Sequence, residues 1–505
     1  MDLFDNLALG FATALSWQNV GYALLGCLIG TFIGMLPGLG PISTVAMLLP
    51  LTYSLAPAGA LILLASIYYG AQYGGSTTAI LLKLPGESSS AVTMIDGYQM
   101  ARKGRGGVAL ATAAIGSFIA GSIGVLLLAT LAEPLTSIAF LFGPSEYFAM
   151  MVLGLVGAIA LSSDSIDKSL GLVVLGLLFS LVGTDVNSGD YRFTGNIPDL
   201  YDGIELTALA MGVFGVAEIA VNLEHYNRQA GKNATLAPIT QLMPSRGDFT
   251  RMAPAIARGT AVGAMLGMLP GAGVTMASFA GYALEKKVSR FRHELGEGAI
   301  EGVAGPESAN NAAAQTNFLT LLTLGIPGSA IMALLLGAMI IQDIQPGPQV
   351  ISNHPDIFWG LIASMWIGNV MLVVLNLPLV GVWINMLRVP YRILFPIILV
   401  FCSVGAFTAR ASVFDIYLLG GFGVLGYILI KLEVSAVPLL MGIVLGPMLE
   451  NSFRRALMVS QGDLSVIYTR PLSFAFLAAA VLLIVLSASP AILRRRRAAA
   501  LVAEQ

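Results

Sequence analysis

The amino-acid sequence predicts an all-α polytopic integral membrane protein, built as two inverted-topology repeats with Pro-Gly broken or re-entrant helices and roughly 10–14 membrane segments. Three observations predict it: charge is scarce, apolar stretches are long, and a seven-residue Pro-Gly motif recurs with its charge surroundings exchanged.

Of 505 residues, 56% are hydrophobic and only 11% charged, with a mean hydropathy of +0.82. Soluble domains carry about 25% charged residues. A wholly water-facing surface is therefore excluded. Segments 108–131, 203–223 and 471–492 each reach the ~20 residues that cross a bilayer. They show no dyad alternation, and backbone in lipid must satisfy its own hydrogen bonds, so they are helices and not barrel strands. Cys27 and Cys402 both sit in apolar runs and read as packing residues. His225, His293 and His354 lie in polar loops and assemble no metal site. The start, Met1-Asp2-Leu3-Phe4-Asp5, lacks the basic region of a cleavable signal peptide. Nucleic acid is not an expected partner.

Internal repetition sets the architecture. Gly34-Met35-Leu36-Pro37-Gly38-Leu39-Gly40 returns as Gly267-Met268-Leu269-Pro270-Gly271-Ala272-Gly273, 233 residues later. A second break follows each: Leu84-Pro85-Gly86-Glu87 in the first half and Ile326-Pro327-Gly328-Ser329 in the second. Basic residues concentrate at 102–105, 228–258, 286–292, 388–392 and 494–497. The positive-inside rule places these in the cytoplasm, C-terminal tail included. Segment 185–202, with four aspartates and one arginine, reads as periplasmic. In the first half the turn after the first break is uncharged and the turn after the second is basic; in the second half the order is reversed. Inverted topology predicts that exchange. Arg454, Arg455 and Arg470 fit poorly, because the count of spans puts them outside. The expected organisation is a first repeat at 1–223, a cytoplasmic linker at 224–258, a second repeat at 259–470, and a terminal helix with a basic tail at 471–505.

Proline removes a helical hydrogen bond and clashes with the preceding turn, and glycine lets the chain leave helical geometry. Broken helices at membrane depth survive only inside protein or along a wet cavity. Their free N–H groups and positive dipole ends suit an anion, so four breaks point to one anion site near the midplane. The competing reading of each break alone is a packing kink. Polar clusters precede both second breaks: Tyr68 to Thr78 in one half, and Glu307, Ser308, Asn310, Asn311, Gln315, Thr316 and Asn317 in the other. These side chains can bind a carboxylate, supply oxygens to Na⁺, or simply join helices. Glu87 and Glu307 adjoin Pro or Gly, so capping a half-helix competes with a cation or proton role. Gly26, Gly30 and Gly34, spaced by four, read as a helix-packing seam.

The motifs Gly34–Gly40, Tyr69-Gly-Ala-Gln-Tyr-Gly-Gly-Ser-Thr-Thr78, Leu84-Pro-Gly-Glu87, Gly305-Pro-Glu-Ser-Ala-Asn-Asn311 and Gly325-Ile-Pro-Gly328 resemble the large membrane subunit of tripartite tricarboxylate transporters, the TctA family. The likeness runs from about Gly21 to Asp463. It implies a bacterial inner-membrane carrier that works with a small membrane subunit and a periplasmic solute-binding protein. It also implies an ion gradient, Na⁺ or H⁺, and citrate or a related small organic anion as cargo. No cofactor beyond the coupling cation is expected. On this reading the substrate site comprises Gly38, Gly40, Gly75, Ser76, Thr77, Gly86, Ser88, Gly271, Gly273, Ser308, Asn310, Asn311, Gly328 and Ser329. Thr78, Glu87, Glu307, Asn310 and Thr316 are the coupling-ion candidates. An anion channel or ion exchanger on the same breaks is the alternative. An intramembrane hydrolase is disfavoured, because no histidine or lysine lies in the second-half cluster.

Overall fold

The computed structural model describes residues 3–36, 40–83, 86–160, 165–185, 188–229, 242–269, 273–386, 391–485 and 487. Pro37, Gly38, Leu39, Leu84, Pro85, Pro270, Gly271 and Ala272 lie outside the described residues, as do linker residues 230–241 and the terminal basic run 494–497. Packing divides the chain into two compact units. One comprises 1–137 and 205–428, the other 138–204 and 429–505.

The first unit holds both pairs of breaks. Helices α1 (Leu3–Ala14) and α2 (Trp17–Gly34) lead into the first break. The chain resumes as α3 (Pro41–Leu48), with Pro at its first position, where a missing N–H costs nothing. Then come α4 (Pro57–Leu82), α5 (Thr93–Met100) and α6 (Gly106–Ala139). Beyond the second unit's α7 (Pro144–Ala160) and α8 (Ile166–Ser180), the first unit resumes with α9 (Leu206–Ala210) and α10 (Ala217–Gln229). The second set of breaks lies among α11 (Arg246–Gly267), α12 (Gly273–Val288), α13 (Glu301–Leu324) and α14 (Ala330–Ile341). Helices α15 (Gln349–Asn353), α16 (Pro355–Asn376), α17 (Val380–Met386), α18 (Tyr391–Arg410) and α19 (Val413–Lys431) complete the order, before α20 (Val437–Val459) of the second unit.

Two helix pairs dominate the first unit, and they are built alike. In the first, α2 lies against α4. A Cβ at Gly30 would stand 2.2 Å from the Ile67 carbonyl oxygen, one at Gly34 2.2 Å from the Ala71 carbonyl oxygen and one at Gly26 2.6 Å from that of Leu63. In the second, α11 lies against α13. A Cβ at Gly263 would stand 2.1 Å from the Ala309 carbonyl oxygen, flanked by Gly259 on Gly305 and Gly267 on Ala313. Backbones this close gain dispersion and exclude lipid, which is what small residues every four positions provide. The seam read at 26, 30 and 34 is thus a packing seam, and it recurs at 259, 263 and 267, at the same offset of 233 residues as the Pro-Gly motif.

Helices α4 and α13 are buried along nearly their whole length. Their polar clusters therefore face protein, not lipid. Outward faces are apolar instead. Ile119, Ile123 and Leu126 form a stripe on α6, exposed by 38%, 41% and 52%, and Val400, Phe401 and Val404 form another on α18. Among the described residues four helical spans are long and apolar enough to cross a membrane: Thr93–Ala139, Leu206–Glu224, Pro355–Asn376 and Val413–Lys431. Shorter apolar helices include Pro41–Thr52, Pro144–Ala160 and Ala330–Ile341. The shortness of Pro41–Thr52 and Ala330–Ile341 follows from the breaks that bound them.

In the second unit, α8 crosses α20 at Gly176 and Gly442, each glycine abutting the other helix's backbone. A two-stranded antiparallel ribbon pairs Gly183 with Arg192 and Thr184 with Tyr191. Arg454 bonds Asp185 at 2.9 Å and Glu450 at 2.7 Å, and Arg470 bonds Glu146 at 3.2 Å. Two of the three arginines that fitted the charge count poorly are therefore neutralised by carboxylates. Arg454 pairs with Asp185, the first residue of the acidic segment 185–202.

Candidate functional site

The site is built where the two hairpins of the first unit face each other. Helix α4 carries Ser76 and Thr77 from one side, and α13 carries Glu307 and Asn310 from the other. The Ser76 hydroxyl donates to Glu307, lying 2.8 and 2.9 Å from its two carboxylate oxygens. Thr93, at the start of α5, donates to the same carboxylate at 2.6 Å. One turn along α13, the Asn310 amide donates to Glu87 at 3.5 Å, and Ser89 also donates to Glu87. Glu87 and Glu307 are 9% and 2% exposed. Each is the kind of buried carboxylate that persists only with dedicated donors.

Glu87 immediately precedes a short turn of helix at Ser88–Ala91, so it stands at a half-helix start. Glu307 does not. It lies inside the unbroken α13, one residue after Pro306, and caps nothing. Its carboxylate instead joins α13 to α4 and α5.

Several expected residues gather here. Gly86 is pressed against Gly75 and the Gly34 carbonyl, with Thr78 beside it, so the two breaks of the first half converge on α4. Gly328 in the second half is pressed instead against Asn317, whose amide donates to Ser329 at 3.1 Å. Ser329 precedes α14 and accepts from the Met332 N–H at 3.4 Å. Asn317 is seven residues past Asn310, about 10 Å along a helix. The second-half break therefore meets α13 at a different height. Ser88 reaches across to Thr275 of α12, with hydroxyls 2.9 Å apart.

Others have different surroundings. The Asn311 amide donates to Ser117 at 2.7 Å, tying α13 to α6. Ser308 is buried against Gly116 and Gly259, and Thr316 donates to the Ala312 carbonyl beside Gly267. Gly40 and Gly273 have no heavy atom within 4 Å of a would-be Cβ. Gly38 and Gly271 lie outside the described residues.

A cavity of about 20 Å³ adjoins Glu307. It is bounded by Tyr73, Ser76 and Thr77 of α4, Ser117 of α6 and Asn376 of α16. That is room for about one water-sized particle, not for a carboxylate substrate.

Sequence reading missed Thr93, Ser117, Asn376 and Asp96. The Asp96 carboxylate is fully buried and accepts from the Gly296, Gly298 and Ala299 N–H groups at 2.8, 2.7 and 2.9 Å and from Tyr282 at 2.9 Å. It fastens α5 to the loop before α13. Nearby, Arg105 bonds Asp248 at 2.5 Å, and Arg258 grips Glu285 on α12 at 2.7 Å. Burial would raise the Asp248 carboxyl, but the Ser245 N–H and Arg105 outweigh it and hold the group below its ordinary value.

Fold and site together define a multi-pass helical membrane protein whose polar centre lies between two broken-helix hairpins. The chain belongs to the tripartite tricarboxylate transporter TctA family, matched over residues 20–441. Membership makes it the large membrane component of such a transporter. It is 54% identical over 478 residues to an uncharacterised 52.8 kDa protein of Agrobacterium vitis, from the TAR-I ttuC' 3' region, covering 95% of each chain. It is 55% identical over 215 residues to a protein in the TAR-II ttuC' 3' region of the same organism, covering 43% of this chain and 89% of that one.

Proposed function

We propose that this chain is the carrier of a binding-protein-dependent importer of small organic carboxylates, citrate or a related anion, driven by a Na⁺ or H⁺ gradient. A periplasmic solute-binding protein delivers the anion, and a small membrane subunit completes the system in the bacterial inner membrane. The basic loops and C-terminus face the cytoplasm, by the positive-inside rule.

The observation that carries this reading is the meeting of α4 and α13 through Ser76, Glu87, Glu307 and Asn310. Each of these helices leads into a Pro-Gly break. Backbone N–H groups at Gly86 and Gly328, with Ser88 and Ser329, supply donors to carboxylates once the hairpins part. The inverted repeat has support from packing as well as from motif: glycine seams at 26–34 and 259–267, offset by 233 residues, meet carbonyls at 63–71 and 305–313, offset by 242 throughout. Each half also passes from the first unit (1–137 and 259–428) into the second (138–204 and 429–470), the first half alone returning at 205–223. The small central cavity favours a carrier over an open channel.

Asn310→Leu tests the site. It removes the amide beside Glu87 while roughly keeping volume. Uptake of labelled citrate and related carboxylates is measured in proteoliposomes with the binding protein and small subunit present. We expect at least a tenfold loss of rate, about 1.4 kcal/mol. Unchanged uptake with unchanged ion dependence would contradict the proposal.

A further inference from the structure

We propose that the cavity among α4, α6, α13 and α16 is a binding site for one dehydrated alkali-metal cation such as Na⁺. This deepens the carrier reading by placing a coupling cation at named atoms. Four observations lead there.

The first is size: about 20 Å³ has room for about one water-sized particle. The second is charge. Glu307 lines the cavity and is 2% exposed, yet among the described residues no Lys, Arg or His lines the cavity with it. Its partners are the neutral hydroxyls of Ser76, Thr93 and Ser117. A buried carboxylate without a cationic partner carries a large desolvation cost.

The third is an oxygen without a donor. Asn376, 7% exposed, lines the cavity and donates its amide hydrogen to the Leu372 carbonyl at 2.9 Å. Its Oδ1 is buried and has no hydrogen-bond partner. An unpaired buried carbonyl is costly, and a cation satisfies it together with Glu307. The fourth is the donor set. Ser76 directs its proton to Glu307, and Thr77 directs its own to the Tyr73 carbonyl at 3.1 Å. Both hydroxyls keep lone pairs, and Ser117 adds another oxygen to the wall. All these ligands are hard oxygens, which excludes soft and borderline metals. A single carboxylate balances a monovalent charge. No cluster of three or more His, Cys, Asp or Glu able to hold a metal exists among the described residues, so a divalent ion is not matched.

Such an ion bridges α4 and α13 and favours their apposition, which would link occupancy to the movement of the hairpins. The test is ²²Na⁺ equilibrium binding to the purified detergent-solubilised transporter, with melting temperature followed as NaCl replaces choline chloride at constant ionic strength. We expect one saturable Na⁺ per chain and a rise in Tm that choline does not produce. Glu307→Gln abolishes both, and Asn376→Leu weakens binding at least tenfold. Should Glu307→Gln fail to fold, Asn376→Leu and Ser76→Ala carry the test. Wild-type protein that binds no Na⁺, or folded variants with unaltered affinity, would overturn the site. If the site fails while uptake remains sensitive to Asn310→Leu, the carrier reading stands and only the cation placement falls.

Discussion

Gly263→Leu yields no folded transporter. The Cβ alone would sit 2.1 Å from the Ala309 carbonyl oxygen and 2.7 Å from its carbonyl carbon and Cα. These are backbone atoms of a buried helix, so no rotamer change relieves the clash. Overpacking a tight core costs typically 1–3 kcal/mol. Here two helices must separate along a shared seam, so we expect the upper end or beyond. Gly30→Leu does the same to the first hairpin, 2.2 Å from the Ile67 carbonyl oxygen. Gly21→Leu, on the same helix as Gly30 but with nothing within 4 Å, leaves expression and Tm unchanged. Monodispersity on size exclusion and Tm in detergent measure all three. A monodisperse Gly263→Leu protein with wild-type Tm would refute the seam.

Asp96→Ala lowers stability nearly as much by the opposite route, by removing a partner. The carboxylate collects three backbone N–H groups of the 296–299 loop and the Tyr282 hydroxyl. Each donor stranded away from water costs about 1–3 kcal/mol. The Ala299 N–H is buried and cannot be rescued by solvent. Hydrogen exchange at Gly298 and Ala299 should accelerate by roughly ten- to a hundredfold, with a lower Tm. Asp96→Asn restores part of the loss, because its Oδ1 still accepts from the three backbone N–H groups while its amide replaces the oxygen that accepts from Tyr282. Unchanged exchange across the loop would mean that the contact holds nothing.

Much of this architecture was legible in the residues, because its strongest signals are local. Proline flanked by glycines at 37–40 and 270–273 disfavours a continuing helix, and α2 and α11 do end at Gly34 and Gly267. Glycine at four-residue spacing announces close packing without saying against what. The structure supplies the partners, and the second seam passed unread although it follows the first at the motif's own offset. The functional side chains were only half legible. Ser76, Glu87, Glu307 and Asn310 stood out by density of polarity. Thr93, Ser117 and Asn376 are single polar residues in apolar or mixed helices, and only tertiary folding brings them to Glu307. Proximity to proline misled in one case. Pro306 suggested that Glu307 caps a helix, but α13 runs straight through it. Proline leaves the helix intact there because other helices surround α13 on every side.

The central claim is that the hairpins of the two halves converge and must part for an anion to enter. Ser88 and Thr275 face each other across that boundary, hydroxyls 2.9 Å apart. Cys27 and Cys402 are buried and free, so a Ser88→Cys, Thr275→Cys pair can be joined selectively by mild oxidation. Carboxylate uptake by that double variant in proteoliposomes is then measured before oxidation, after it, and after reduction. The account predicts uptake that is reduced by loss of the Ser88 hydroxyl but measurable, then near-complete loss on cross-linking, then return to the rate before oxidation. Full uptake with the cross-link demonstrably intact would contradict it.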